Sequence, residues 1–274
     1  MPLPLLLGVA LAGPLSQLPE QELRFRTCEQ LALEQTSAGN PGGAVDVWVS
    51  CGEELHKAGF YDRDAAVEGR LTLAKLDRDY AGLAERDPMA YARVLLITVA
   101  QHPNAEFPYT RVSSAWLSVI NDPSVRQNLG NVRTVELRWD EKTPLDAATK
   151  SQLDALVRRY LGDAGFKVEP ANSTAAAKAG ITLRLGASVS AQAPVSYQGQ
   201  TLLQVYSAEI HSDPVRFREI NVTGPQLSAT ERADDPVTVK AHDAALDAAA
   251  RSFASRMLIA VVTQVYKHEE LPPP

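Results

Sequence analysis

The side chains best suited to chemistry in this chain are five histidines, two cysteines and a few paired carboxylates. His56, His102, His211, His242 and His268 stand apart from one another, and none shares a recognised metal-ligand spacing with a second His, Cys, Asp or Glu. His56 follows Glu53 by three residues, which suits a helix-surface contact, and His268 belongs to a charged tail with Glu269 and Glu270. Nucleophilic catalysis needs a Ser or Cys on a strained turn with an imidazole in reach, and no G-x-S-x-G occurs. The run Gly39-Asn40-Pro41-Gly42-Gly43 lacks a P-loop lysine and reads as a turn.

Carboxylates pair at Asp62/Asp64, Asp77/Asp79, Asp140/Glu141 and Asp234/Asp235. Acid–base catalysis requires two such groups in different environments within one cleft. The first two pairs enclose Arg63 and Arg78, as a solvated helix face does. Asp140 and Glu141 close a strand, where sites in α/β folds sometimes gather. With His211 they are the candidates for a cleft, and they point to no cofactor or metal.

Net charge is −6 over 274 residues with both signs interspersed, so nothing predicts a nucleic-acid partner. Hydrophobic residues make up 45%, enough for real cores. Residues 1–17 form an apolar run without side-chain charge. Leu3–Ala12 has the length of a signal-peptide core, Ala10-Leu11-Ala12 resembles a cleavage site, and the run is too short to span a bilayer. The expectation is an exported, periplasmic or secreted chain without a transmembrane segment.

Cys28 and Cys51 fall in two segments of helical periodicity separated by the 37–43 breaker run. They are equidistant from a point between Gly39 and Asn40, inside that run, so an antiparallel hairpin brings them level. That geometry suits a disulfide or two buried free thiols on facing helices. In an exported chain the bridge is the expectation.

Residues 22–130 read as five short helices, an all-α domain of helical hairpins. The third runs from Asp62 to just before Asp87, and the fourth starts with Asp87 as N-cap and Pro88 at N1. Val94–Ala100 is apolar all round and is expected at the centre of that domain. The fifth follows Phe107-Pro108 with Val112, Trp116, Leu117 and Ile120 inward, and a turn follows at Asp122-Pro123. After Gly130-Asn131, residues 132–266 read as an α/β sandwich in the order strand–helix–strand–helix–strand–strand–strand–helix, giving an α+β chain. Its first helix is expected to open at Pro144 and end before a left-handed Gly165. Asn172 or Ser173 is expected to cap a small alanine-rich helix. Residues 225–236 read as a loop, and 267–274 as a disordered tail.

The helix from Leu156 to Gly165-Phe166 before a strand, and the later run Ala241-His242-Asp243-Ala244-Ala245-Leu246-Asp247-Ala248-Ala249-Ala250, carry a resemblance. The C-terminal half resembles the accessory α/β domains of bacterial envelope proteins: the TolB N-terminal domain, the curli secretion lipoprotein and the lipoprotein activators of penicillin-binding proteins. The resemblance implies a non-catalytic docking or assembly module whose partners are envelope proteins. Their lipid-anchor cysteine has no counterpart here, so membrane attachment does not carry over. The alternatives are a hydrolase with an interdomain cleft and a small-ligand binding protein.

Overall fold

The computed structural model describes residues 20–120, 133–171, 173–197, 200–218, 220–235 and 237–274, without the side chains of 177 and 193–203. The signal-like run, the turn at Asp122-Pro123 and the boundary at Gly130-Asn131 lie outside the described residues. The fold is α+β, and the chain divides into two compact units.

The first unit comprises the chain up to Ala81, with Asn104–Glu106. Helices α1 (Glu20–Ser37) and α2 (Pro41–Lys57) form the expected hairpin, turned by Gly39 at φ 72°. Asn40 caps α2, its side chain accepting from Gly43 N, with Pro41 in the first turn. Cys28 and Cys51 form a disulfide across the pair, Cα atoms 6.2 Å apart. Phe25, Trp48, Leu55 and Val67 are buried beside it. Helix α3 (Asp64–Asp79) follows a 3-10 turn at Tyr61–Arg63. The stripe expected to run on towards Asp87 breaks at Tyr80, and α4 (Ala81–Arg86) is a separate short helix. Gly82, a poor helix former, stands just past the break.

Gly69 on α3 is a forced choice. The chain at Glu106 crosses so close that a Cβ there would stand 2.2 Å from its carbonyl oxygen. Glu106 N donates to Ala65 O at 2.8 Å, and Arg70, bound through two nitrogens to Glu29, also reaches Glu106 O.

The second unit corrects the boundary expected near 130. Helices α5 (Pro88–Gln101) and α6 (Tyr109–Val119) belong with the sheet, because both pack on the C-terminal helix α8 (Thr238–Tyr266). Val94–Ala100 is buried as expected, but within this second core. Asp87 caps α5, accepting from Ala90 N. Val112, Trp116 and Ile120 are buried, whereas Leu117 turns outward and is 41% exposed.

The sheet runs β2-β1-β3-β4-β7, from β1 (Thr134–Trp139), β2 (Lys167–Pro170), β3 (Ile181–Tyr197), β4 (Gln200–Ser212) and β7 (Ser228–Asp235). The short strands β5 (Arg216–Phe217) and β6 (Val222–Thr223) continue it beside the start of β3, where the expected order has a single last strand. β1 is parallel to β2 and β3, and β3, β4 and β7 are antiparallel. Helix α7 (Ala147–Asp163) connects β1 to β2 and packs on α8. It opens at Asp146 rather than Pro144, because the Asp146 carboxylate accepts from both Ala148 N and Thr149 N. Gly165 takes φ 81°, as expected past a helix end.

The small helix expected near 173 is a 3-10 turn, Ala176–Lys178, held by Ser173 Oγ accepting from Ala176 N. The expected loop at 225–236 contains β7. SATERADD has little apolar alternation to betray an edge strand, and only Ala229 is buried. Residues after Tyr266 are without regular structure.

Strand alternation gives the sheet two unlike faces. Val135, Leu137, Ile181, Leu183, Leu185, Ala208 and Ile210 are buried on the helix side. Met257–Val262 of α8 is buried almost throughout.

Candidate functional site

The opposite face of the sheet is polar, and register fixes its rows. Asp140 N donates to Leu185 O, Gly186 pairs with His211, and His211 pairs with Ser228. Asp140, Gly186, His211 and Ser228 therefore share one row across four strands. Two of the expected cleft candidates are brought together this way, while Glu141 follows in an exposed turn. Ser228 lay in a stretch read as loop, so its place beside His211 was invisible from sequence.

The row does not assemble acyl-transfer chemistry. A triad needs a serine–imidazole and an imidazole–carboxylate hydrogen bond. Among the described residues no hydrogen bond joins these three side chains. The nearest acid to His211 is Glu209, with Oε1 4.0 Å from Nδ1. Asp140 accepts from Lys142 N at 3.2 Å and Arg184 at 3.3 Å, and these hold its carboxyl below the usual range. The His211 ring lies over Gly186, where a Cβ would approach Nε2 to 2.3 Å.

Among the described residues, the one buried charge on this face is Glu136, 1% exposed. Arg138, two residues along the same strand, bonds Oε1 through Nε at 2.7 Å and also through its terminal nitrogen. Arg218 binds Oε2 and donates to Ala176 O at 3.1 Å, tying the 3-10 turn over the carboxylate. This clamp was missed from sequence. Its only signal was Glu136 and Arg138 at strand spacing, and Arg218 arrives from 82 residues away. The cross-strand neighbour Thr182 has a buried hydroxyl with no hydrogen-bond partner.

Much of the rest of the face is exposed, although Val205 on it is buried. The side chains of Arg138 and Arg184 are 48% and 56% exposed, and Arg216, Ser228, Thr230 and Arg232 are exposed. A second polar seam joins α7 to α8: Tyr160 donates to Asp247 at 2.7 Å, Arg159 and Arg251 also bind that carboxylate, and Gln152 donates to Asp243 at 2.9 Å. Burial pushes the Tyr109 phenol up to about 12; its hydroxyl donates to Tyr160 O. These groups are committed to packing helices together. Among the described residues no cluster of three or more metal-ligating side chains occurs, and no helix is long and apolar enough to cross a membrane.

No family model matches the chain, and no curated protein matches it. The resemblance to envelope domains thus stays a likeness of pattern. One of the similar solved structures comes from Caulobacter crescentus CB15 and is described as a "putative lipoprotein". It is 11% identical, covers 54% of this chain and 98% of its own, and has a TM-score of 0.32. A likeness at that level carries no functional argument.

Proposed function

We propose that this protein is an exported, non-catalytic docking or assembly module of the bacterial envelope. The observation that carries the reading is the helix-free face of the sheet. It presents Arg138, Arg184, Arg216 and Arg232 among short hydroxyl side chains, and its carboxylates Glu136 and Asp140 are each engaged by neighbouring groups rather than converging on one point. Such a face suits a broad, polar protein contact with bidentate arginine anchors at its centre. Export is supported by the signal-like start and by the Cys28–Cys51 bridge, since such bridges persist in oxidising compartments.

Chemical cross-linking in intact cells tests the reading. The expected outcome is a reproducible set of envelope proteins joined to the chain. Recovery of the chain alone, or of cytoplasmic proteins only, would overturn it.

A further inference from the structure

Three arginines stand together at one end of the helix-free face. Arg138 on β1 pairs directly with Arg184 on β3, so their side chains leave the sheet side by side, about 4.8 Å apart at the backbone. One step back along β3, Thr182 pairs with Arg216 on β5, which makes Arg184 and Arg216 diagonal neighbours about 7–8 Å apart. Thr182 also pairs with Glu136, so the strand alternation puts all of these residues on the polar face. The side chains of Arg138 and Arg184 are 48% and 56% exposed, and Arg216 is exposed as well.

Neighbouring charges of one sign on a sheet face oppose folding unless something offsets them. The offsets here are few. Glu136 is buried and already shared between Arg138 and Arg218. Asp140 meets Arg184 through one contact at 3.3 Å with both side chains well exposed, and such a pair contributes little. Among the described residues Arg216 makes no ion pair, and neither does Asp213, whose N–H donates to Arg184 O. A guanidinium offers five N–H donors in a flat fork. Arg138 commits Nε and one terminal nitrogen to Glu136, and Arg184 commits one terminal nitrogen to Asp140. The other donors of three neighbouring forks are left for an acceptor from outside, in a chain of net charge −6.

We infer that the Arg138–Arg184–Arg216 cluster is where the docking face holds its partner, and that the partner presents an acidic segment with two or more carboxylates close together in sequence. The inference rests on the docking reading and gives the partner a chemistry. Alternate residues of an extended chain project to one side about 6.8 Å apart, which matches the spacing of these forks. Each carboxylate can then be taken bidentately, the geometry that distinguishes arginine from a simple point charge. An anionic lipid surface fits less well. Its attraction follows the summed charge of a broad basic surface, and Asp140, Glu209 and Asp213 lie on or beside this face.

Fluorescence anisotropy of a labelled hexaglutamate peptide, titrated with the purified full chain at low salt, tests the inference, with hexaglutamine as the control. Saturable binding is expected for hexaglutamate alone, and it should weaken as salt is raised. The overall charge of −6 works against such binding, so binding reports the local cluster. Arg184→Gln combined with Arg216→Gln is expected to weaken it by about tenfold or more while the urea midpoint stays in place. Either change alone leaves the other fork and should weaken it only in part. Arg232→Gln, on the same face but level with Ser207 and Ser190, should leave affinity within about twofold. Equal binding of the two peptides, or an Arg232→Gln loss as large as that of the double variant, would overturn the inference. Binding to phosphatidylglycerol vesicles without binding to hexaglutamate would overturn it too. Reproducible cross-links in intact cells with no hexaglutamate binding would overturn the inference and leave the docking reading intact. Hexaglutamate binding that depends on Arg184 and Arg216, without any cellular cross-link, would uphold the acidic-segment chemistry and overturn the docking reading.

Discussion

Asp140 N donates to Leu185 O at 2.7 Å, and this bond is where β3 ceases to be an interior strand. Below it β3 lies between β1 and its antiparallel neighbours, with Leu183 and Leu185 fully buried. Above it Ala187 is still buried, and exposure rises through Val189 to Ala191 and Gln192. One residue pair thus divides the part of β3 that is paired with β1 from the part whose strand neighbour among the described residues is β4. The Asp140 carboxylate, drawn to Lys142 N and Arg184, fixes the turn just past that point.

The Cys28–Cys51 bridge closes the α1–α2 hairpin over a separation of 23 residues. Replacing both cysteines by serine is expected to destabilise the first unit by about 3 kcal/mol, mainly by freeing the unfolded chain. Urea unfolding of the variant, compared with wild type under oxidising conditions, measures it. An unchanged midpoint would count against the hairpin needing its staple.

Gly69→Ala places a methyl against the Glu106 carbonyl. Because the obstacle is backbone, relief requires a shift of α3 or of the 104–106 segment. A loss of about 1–3 kcal/mol is expected from such overpacking. Gly162→Ala, at an open position on α7, is the control and should be neutral or slightly stabilising. Thermal unfolding of the two variants distinguishes them.

Glu136 is clamped by Arg138 and Arg218. Replacing both arginines by alanine leaves the buried carboxylate unpaired, at an expected cost of about 3–5 kcal/mol. Glu136→Gln leaves two partly exposed arginines that water can solvate, and about 1–3 kcal/mol is expected. Denaturant titrations should rank the double arginine variant as the less stable. The reverse order would show that the clamp does not hold the carboxylate as described.

Asp146 is held below its ordinary range by the Thr149 backbone N–H, and Asp243 by Gln152 and His242. Asp247 is lowered as well, its bonds from Tyr160 and Arg251 outweighing its burial. A carboxyl whose folded pKa lies below its unfolded value of about 3.9 contributes stability above that value and loses it as pH falls through the folded one. Stability is therefore expected to hold from neutrality to about pH 4 and to fall below it. Asp146→Asn, which can still cap α7, should flatten that fall. Urea midpoints across this range provide the check.

Caps and periodic apolar stripes were legible in the sequence because they are local. Asp87-Pro88, the hairpin turn at Gly39 and Gly165 each state their role within a few residues, and the equidistant cysteines follow from the turn. β7 was not legible, since an edge strand with one buried alanine has no alternation to read. Nor was the allegiance of α5 and α6. A helix apolar on all sides, like Val94–Ala100, declares burial without declaring its partner. At the polar face, Asp140 and His211 could be named singly. Their common row depends on β1, β3 and β4 register, and the Glu136 clamp depends on Arg218 returning from beyond β5.

The helix-free face of the sheet is proposed to dock other envelope proteins. A photoreactive residue introduced at Arg184, on that face, tests it most directly against the same residue at Ala155, exposed on α7. A discrete, reproducible adduct in intact cells is expected from position 184 and none from position 155. Absence of any adduct at 184, or the same adducts from both positions, would contradict it.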